Sequence, residues 1–330
     1  MQEPKRDKQQ QYPTRVFTSQ LKIGDGTDGS SNKRLNYPWG IAFNPHTQHV
    51  LVSDGHNHRV KVFDRHTHDD DGHLKYVSTI GSEGSAPGQF DHPRGLAIQP
   101  ITHRVLVCDA YNHRIQVMAE DEDEEKSGHY HHRHVYSTGD ASKAESSLDG
   151  GFNRPFGVDC QSNGDIAVAD SFNHRVQLFD SAGRYLHKFG TKGDQDDQFN
   201  SPYDVKYLAH RFSPSSSASS LLLVADRGNH RVSVWSGDGQ QHISNFKVEG
   251  SPTGLCVDMN GLIHVSCNYP YTVQIYDPRN NFQLLQTLGQ STRRGGNKPG
   301  ELNCPAGMCV DDTNTLMVVE CWNHRVQFFR

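Results

Sequence analysis

Five acidic residues share a spacing that invites a chemical reading. Asp54, Asp109, Asp170, Asp226 and Glu320 each stand three residues before an Asn-His-Arg triplet. An acid, an amide and a guanidinium held across one tight turn can satisfy each other's hydrogen bonds. A feature repeated in five units is structural glue rather than one active site. It takes five of the 21 histidines with it as framework. The segments that follow each Pro-x-Gly or Pro-x-Asp, such as Gly-Ile-Ala-Phe and Gly-Leu-Cys-Val, hold no histidine, so a three-histidine zinc site has no ligands there. The run His129-Tyr130-His131-His132-Arg133-His134 beside an acidic stretch reads as a polar insertion rather than a metal site. No nucleophile has a partnered base, and neither a catalytic residue, a metal nor a cofactor is expected.

The elements that position these residues follow from a repeat. Pro-x-Gly precedes an apolar run at Pro38, Pro93, Pro155, Pro252 and Pro305, and Pro202-Tyr203-Asp204 is a variant. Asn-His-Arg follows 18 or 19 residues after four of these prolines, and 27 after Pro202, where a Ser-rich insertion intervenes. The unit at Pro252 carries Pro270-Tyr271-Thr272-Val273 instead. Within the first unit, 40–43, 50–53, 59–63 and 74–80 are short Val-, Ile- and Tyr-rich runs bounded by turn residues, which are strand signals. No apolar helical period occurs. Four strands repeated six times predict an all-β fold, a single six-bladed β-propeller with blades starting near 38, 93, 155, 202, 252 and 305. The last unit ends after its third strand, and residues 15–24 read as a fourth, so the N-terminal strand is expected to complete the C-terminal blade. Residues 1–12 are expected to form a disordered tail and 13–330 one domain.

Function is sought where the units differ. In a propeller the loop before the first strand and the loop between strands two and three open on one face. The x of Pro-x-Gly gives Trp39, Arg94, Phe156, Tyr203, Thr253 and Ala306; the residue before Asn-His-Arg gives His56, Tyr111, Phe172, Arg227, Tyr269 and Trp322. Aromatic and Arg side chains dominate interface hot spots. The expected ligand face is Trp39, His56, Arg94, Tyr111, Phe156, Phe172, Tyr203, Arg227, Tyr269 and Trp322. Lys33, Arg34, Arg293, Arg294 and Lys298 are expected to add a basic arc beside Trp39 and Trp322. The acidic runs Asp69–Asp71 and Glu120–Glu125 fall between strands three and four, hence on the opposite face. Rings with Arg and Lys stack bases and neutralise phosphates in single-stranded or hairpin RNA. Asp194, Asp196, Asp197 and Glu83, on the same face, oppose this.

Composition narrows the classes. The 330 residues carry 33 Lys plus Arg against 38 Asp plus Glu, a formal charge of −5, which excludes a strongly basic nucleic-acid-coating protein. No run reaches the roughly 20 apolar residues of a membrane helix, and the first residues lack the apolar core of a signal peptide. Seven cysteines without a Cys-x-x-Cys pair, several in apolar runs, read as reduced and buried. No Asn-x-Ser/Thr sequon occurs. A cytoplasmic, monomeric protein with neither DNA nor membrane partner is expected.

The Pro-x-Gly starts, the Asp three residues before Asn-His-Arg-Val, and the linker Gly81-Ser-Glu-Gly-Ser-Ala-Pro-Gly-Gln-Phe90 resemble NHL-repeat propellers, across residues 15–330. The Gly-Gln-Phe linker and the aromatic starts Pro38-Trp39-Gly40 and Pro202-Tyr203-Asp204 are most similar to the propellers of tripartite-motif proteins. That resemblance implies a non-catalytic recognition module. Such propellers include RNA binders that repress messages, the favoured expectation, and others that hold protein substrates for a ubiquitin ligase. Some propellers of this fold are metal-dependent lyases or hydrolases with ligands around the central channel. No RING, B-box or coiled coil is read in these residues.

Overall fold

In a computed structural model, described for residues 14–17, 21–120, 132–139, 144–212, 220–289 and 295–330, the repeat folds into six antiparallel sheets. The expected tail, residues 1–12, lies outside the described residues. Five sheets have four strands in chain order and the last has three. Blade 1 comprises Pro38–Asn44, His49–Asp54, Arg59–His68 and Leu74–Ile80. Its third strand outruns the expected 59–63 because the chain stays extended as far as His68, which pairs with Leu74 across the outer hairpin. The other five blades begin with Pro93–Ile98, Pro155–Cys160, Pro202–Leu208, Ser251–Val257 and Pro305–Val310.

These six first strands line the centre of the ring, and each lies against the first strand of the next blade, blade 6 against blade 1 included. That closeness explains the Gly of Pro-x-Gly. A Cβ on Gly40 would stand 2.2 Å from the Arg94 carbonyl oxygen, and one on Gly95 2.5 Å from that of Phe156. Asp204 takes this position in blade 4 and turns the feature into a bond: its carboxylate accepts from the backbone N–H of Leu255 in blade 5 at 2.8 Å.

The second strands are buried along their whole length, as in His49–Asp54 and Leu221–Asp226, because each is covered by sheets on both sides. Outermost strands such as Tyr185–Phe189 alternate toward solvent. Six apolar clusters fill the six gaps between blades; Val60, Phe90 and Val107 belong to the one between blades 1 and 2. Each cluster is shared by two blades, so burial of apolar surface drives ring assembly as well as sheet formation.

Beside the last strand, Arg325–Phe329, run the first described residues. Val16 and Arg330 exchange both backbone hydrogen bonds, at 2.6 and 2.9 Å, and Phe17 and Ile23 bridge Phe329 and Val326. No helix among the described residues is long and apolar enough to cross a membrane.

Candidate binding face

The repeated turn is the frame on which the face is built. In blade 2, the buried Asp109 carboxylate accepts from Asn112 Nδ2 at 2.9 Å, Arg114 Nε at 2.8 Å, Gln116 Nε2 at 3.0 Å and the Asp91 backbone N–H at 2.7 Å. The Asn, Arg and backbone donors recur around Asp54, Asp170, Asp226 and Glu320, and the Gln donor recurs at Asp170 and Glu320, while Lys61 and Ser233 stand in its place in blades 1 and 4. Burial pushes the carboxyls of Asp109, Asp170, Asp226 and Glu320 above their ordinary range, against the pull of these bonds. The histidine that follows has a left-handed backbone; in four blades its Nδ1 accepts from the next blade, while His230 Nδ1 donates to the Gly250 carbonyl oxygen at 2.8 Å. Tyr37, His92, Arg154 and Ser201 donate their backbone N–H to His324, His58, His113 and His174 at 3.0–3.3 Å. A neutral imidazole carrying its proton on Nε2 is required for that bond.

The variable positions fall into two rings. Those of Pro-x-Gly sit at the start of a central strand, and Trp39 and Phe156 are only 8% and 5% exposed. Trp39 packs on Cys304, Ala306 and Cys321. Thr253 and Ala306 are buried as well, while Arg94 and Tyr203 are half-buried. Positions before Asn-His-Arg sit on single-turn 3-10 segments such as Ala110–Asn112 in blades 1 to 4, and on turns at Tyr269 and Trp322 in blades 5 and 6. There His56 is exposed, with Tyr111 at 37%, Phe172 at 44%, and Tyr269 and Trp322 at 51% each. Arg227, in the same place in blade 4, is half-buried.

Three guanidinium groups bind these rings together. Arg94 lies over Trp39 at 4.0 Å and over Phe156 at 4.8 Å. Arg154 spans Tyr111 and Phe172 at 4.7 and 4.8 Å, and Arg227 covers Tyr203 at 4.7 Å. Among the described residues, none of the three has an ion pair or a side-chain hydrogen bond, and Arg227 Nε is buried without a partner. The contrast is with Arg59, Arg114, Arg175, Arg231 and Arg325, whose forks are held by carboxylates. Burial first, then the neighbouring His92 and Arg94, push the His56 imidazole down.

Sequence reasoning did not single out Tyr37, His92, Arg154 or Tyr271. Tyr37 stacks on His56 at 4.6 Å and accepts a 3.3 Å hydrogen bond from Trp322 Nε1; His92 meets Tyr111 at 4.6 Å; Tyr271 meets Trp322 at 6.0 Å. Three of them immediately precede the repeat proline, a position as variable as the one after it. Of the expected basic arc, two of the three described residues are paired with carboxylates. Lys33 pairs with Asp69 of the blade-1 outer hairpin at 2.6 Å, and Arg34 with Asp25 at 2.9 Å. Lys33 therefore reaches the hairpin that the sequence assigns to the opposite face. Lys298 is exposed, while Arg293 and Arg294 lie outside the described residues.

The central channel, about 370 Å³, is lined by the first strands and by His103, which comes from the turn after Pro93–Ile98. Its ionisable groups are engaged with the protein. Lys206 pairs with Asp159 at 2.8 Å, and Asp204, pushed up to about 7 by burial, accepts from two backbone N–H groups.

The NHL repeat family matches residues 35–63 and 302–329, in blade 1 and blade 6. The protein brain tumor of Drosophila melanogaster is 31% identical over 148 residues, 44% of this chain and 13% of that protein. The B-box type zinc finger protein ncl-1 of Caenorhabditis elegans is 31% identical over 124 residues, 36% of this chain and 14% of that protein. The chain thus aligns with about an eighth of the length of these curated relatives. A gluconolactonase from Xanthomonas campestris has the same fold, with a TM-score of 0.60 over 90% of this chain and 87% of its own at 16% identity. The chain is thus a six-bladed β-propeller whose first and last blades match the NHL repeat and whose Asp/Glu-Asn-Arg turn recurs in five of six blades.

Proposed function

We propose that this propeller is a non-catalytic recognition module that binds single-stranded or hairpin RNA, on the face carrying Arg94, Arg154 and Arg227. The observation that carries the reading is that these three forks rest on aromatic rings with their donors unengaged. A guanidinium held flat on a ring keeps its N–H edge for phosphate or base oxygens. Beside them, Tyr111, Phe172, Tyr269 and Trp322 are 37–51% exposed and offer ring surface on which bases can stack. With Lys33 and Arg34 already paired, the arginines rather than the lysine arc supply the charge. A catalytic reading has less support, because Asp159, Lys206 and Asp204 in the channel are satisfied by one another and by backbone.

The test is selection from a random RNA pool at two salt concentrations, with Arg154→Ala and Phe172→Ala as controls. Trp39 is too buried to serve. Enrichment of a short motif is expected, with each substitution weakening its binding by about 1–3 kcal/mol and affinity falling steeply with salt. No enrichment at either salt refutes the RNA reading. The alternative is the substrate-holding propeller of a tripartite-motif ubiquitin ligase. It rests on the same exposed rings, and predicts a protein ligand whose binding depends weakly on salt.

A further inference from the structure

We propose that His58, Asp91 and His92 form a binding site for one borderline divalent cation, Zn2+ by ligand type, at the junction of blades 1 and 2. The inference stands on its own geometry and does not depend on the RNA reading. His58 Nδ1, Asp91 Oδ1 and His92 Nδ1 all lie within 4.8 Å of one another, on half-buried side chains. Asp91 Oδ1 is 2.6 Å from His92 Nδ1 and 3.3 Å from His58 Nδ1. Ligands at about 2.0–2.2 Å around a tetrahedral zinc stand roughly 3.3–3.5 Å apart. The His58–Asp91 separation already has that value, and a small side-chain rotation brings His92 to it.

The proton inventory points the same way. His58 Nδ1 accepts the His92 backbone N–H at 3.3 Å, as its counterparts do in other blades, so it presents a lone pair. At this junction alone among the described ones, that lone pair also faces a carboxylate oxygen. The His92 proton can satisfy Asp91, but the contact between His58 Nδ1 and Asp91 Oδ1 is then one acceptor against another. A cation in place of the proton satisfies all three atoms. Two imidazoles and a carboxylate suit zinc and its neighbours over calcium or magnesium, and three protein ligands leave one position for solvent.

The site arises from a departure from the repeat. Where blade 2 has Asp91, four of the other five junctions have Asn36, Asn153, Asn200 and Asn303 and the fifth has Gly250; where it has His92 they have Tyr37, Arg154, Ser201, Cys304 and Ser251. His58 is a framework histidine everywhere else. Here the lead-in loop supplies the other two ligands, from a backbone fixed in the left-handed region at His92 (φ 51°), as at Ser201 (φ 54°). Filling the site exchanges the His92–His58 bond for metal coordination and fastens blade 1 to blade 2.

Asp91→Asn with His92→Ser rewrites this loop as the Asn200-Ser201 of blade 4, a pair the same backbone already accepts. Titrated with Zn2+ alone, the wild-type chain should bind one equivalent more than the double variant and show a rise in Tm that the variant lacks. Co2+ should give the intense visible absorption of a low-coordinate site in the wild type only. Equal stoichiometry and equal Co2+ spectra would overturn the proposal. Zinc-edge X-ray absorption of the wild-type chain at one equivalent needs no variant: two imidazoles plus oxygen are expected, and an all-oxygen shell refutes the site.

Discussion

Removing the turn acid one blade at a time turns the repeat into an internal calibration. Asp109→Ala deletes the acceptor of four side-chain and backbone donors and leaves Arg114, whose side chain is 5% exposed, without a counter-charge. Arg114 keeps the Ala86 and Gln89 carbonyls, Asn112 that of Gly84 and Gln116 that of Gln89, so of the four donor groups only the Asp91 backbone N–H is left without its acceptor. What remains is the cost of a buried unpaired cation, about 3–5 kcal/mol. Asp170→Ala should match it, since Arg175 is 6% exposed. Arg59 and Arg325 are each 19% exposed, so water solvates the orphaned charge, and Asp54→Ala and Glu320→Ala should cost about 1–2 kcal/mol less. Asp226→Ala, whose Arg231 is 10% exposed, belongs between. Urea unfolding followed by tryptophan fluorescence and far-UV circular dichroism measures the series. An Asp109→Ala loss below about 1 kcal/mol, or a larger loss for Asp54→Ala than for Asp109→Ala, refutes the assignment of these acids as inter-strand glue graded by burial.

The histidines predict a pH dependence of opposite origin. Burial pushes the His113 and His174 imidazoles down, so the stability they confer is complete above the unfolded value of about 6.5 and is lost as pH falls through the folded value. Replacing both by Asn, which tolerates the left-handed backbone, should flatten the fall in urea midpoint between pH 6.5 and 5, by about 1 kcal/mol per latch; an unchanged slope sinks the idea. Gly95→Ala, whose Cβ would stand 2.5 Å from the Phe156 carbonyl oxygen, should cost about 1–3 kcal/mol by forcing blades 2 and 3 apart. A loss below 0.5 kcal/mol on the ~1 kcal/mol scale of such changes would show that the ring yields there.

The fold was legible because a sheet edge and a close approach leave marks in sequence at fixed intervals. Pro38-Trp39-Gly40 and its copies record where a first strand must pass within contact of the next blade; Gly leaves the room in five blades, and Asp204 in blade 4 replaces it with a bond across the contact. The turn acid with its Asn and Arg records where four loop carbonyls and amides need partners. Both constraints act within one repeat or between neighbours, so period alone reveals them. The pairing of Lys33 with Asp69 was hidden because it depends on how far a loop and an outer hairpin extend, which no period encodes.

The face was legible in its residue types and not in their accessibility. Trp39 and Trp322 are the same side chain at equivalent-looking variable positions, yet one is 8% and the other 51% exposed. The difference lies in the backbone that carries them. A residue at the start of a central strand points among converging blades, so its ring becomes mortar; a residue on the turn between the second and third strands stands clear of the sheet. Buried rings still matter to the surface, because Trp39 and Phe156 hold the Arg94 guanidinium flat between them at 4.0 and 4.8 Å. The inner ring of aromatics thus fixes the charge, and the outer ring of His56, Tyr111, Phe172, Tyr269 and Trp322 is left for contact. Blade 4 interrupts the outer ring with Arg227, itself laid on Tyr203. An occupant that stacks on successive outer rings must therefore follow the circumference of the face rather than plug the channel, and it meets a guanidinium wherever one run of rings ends.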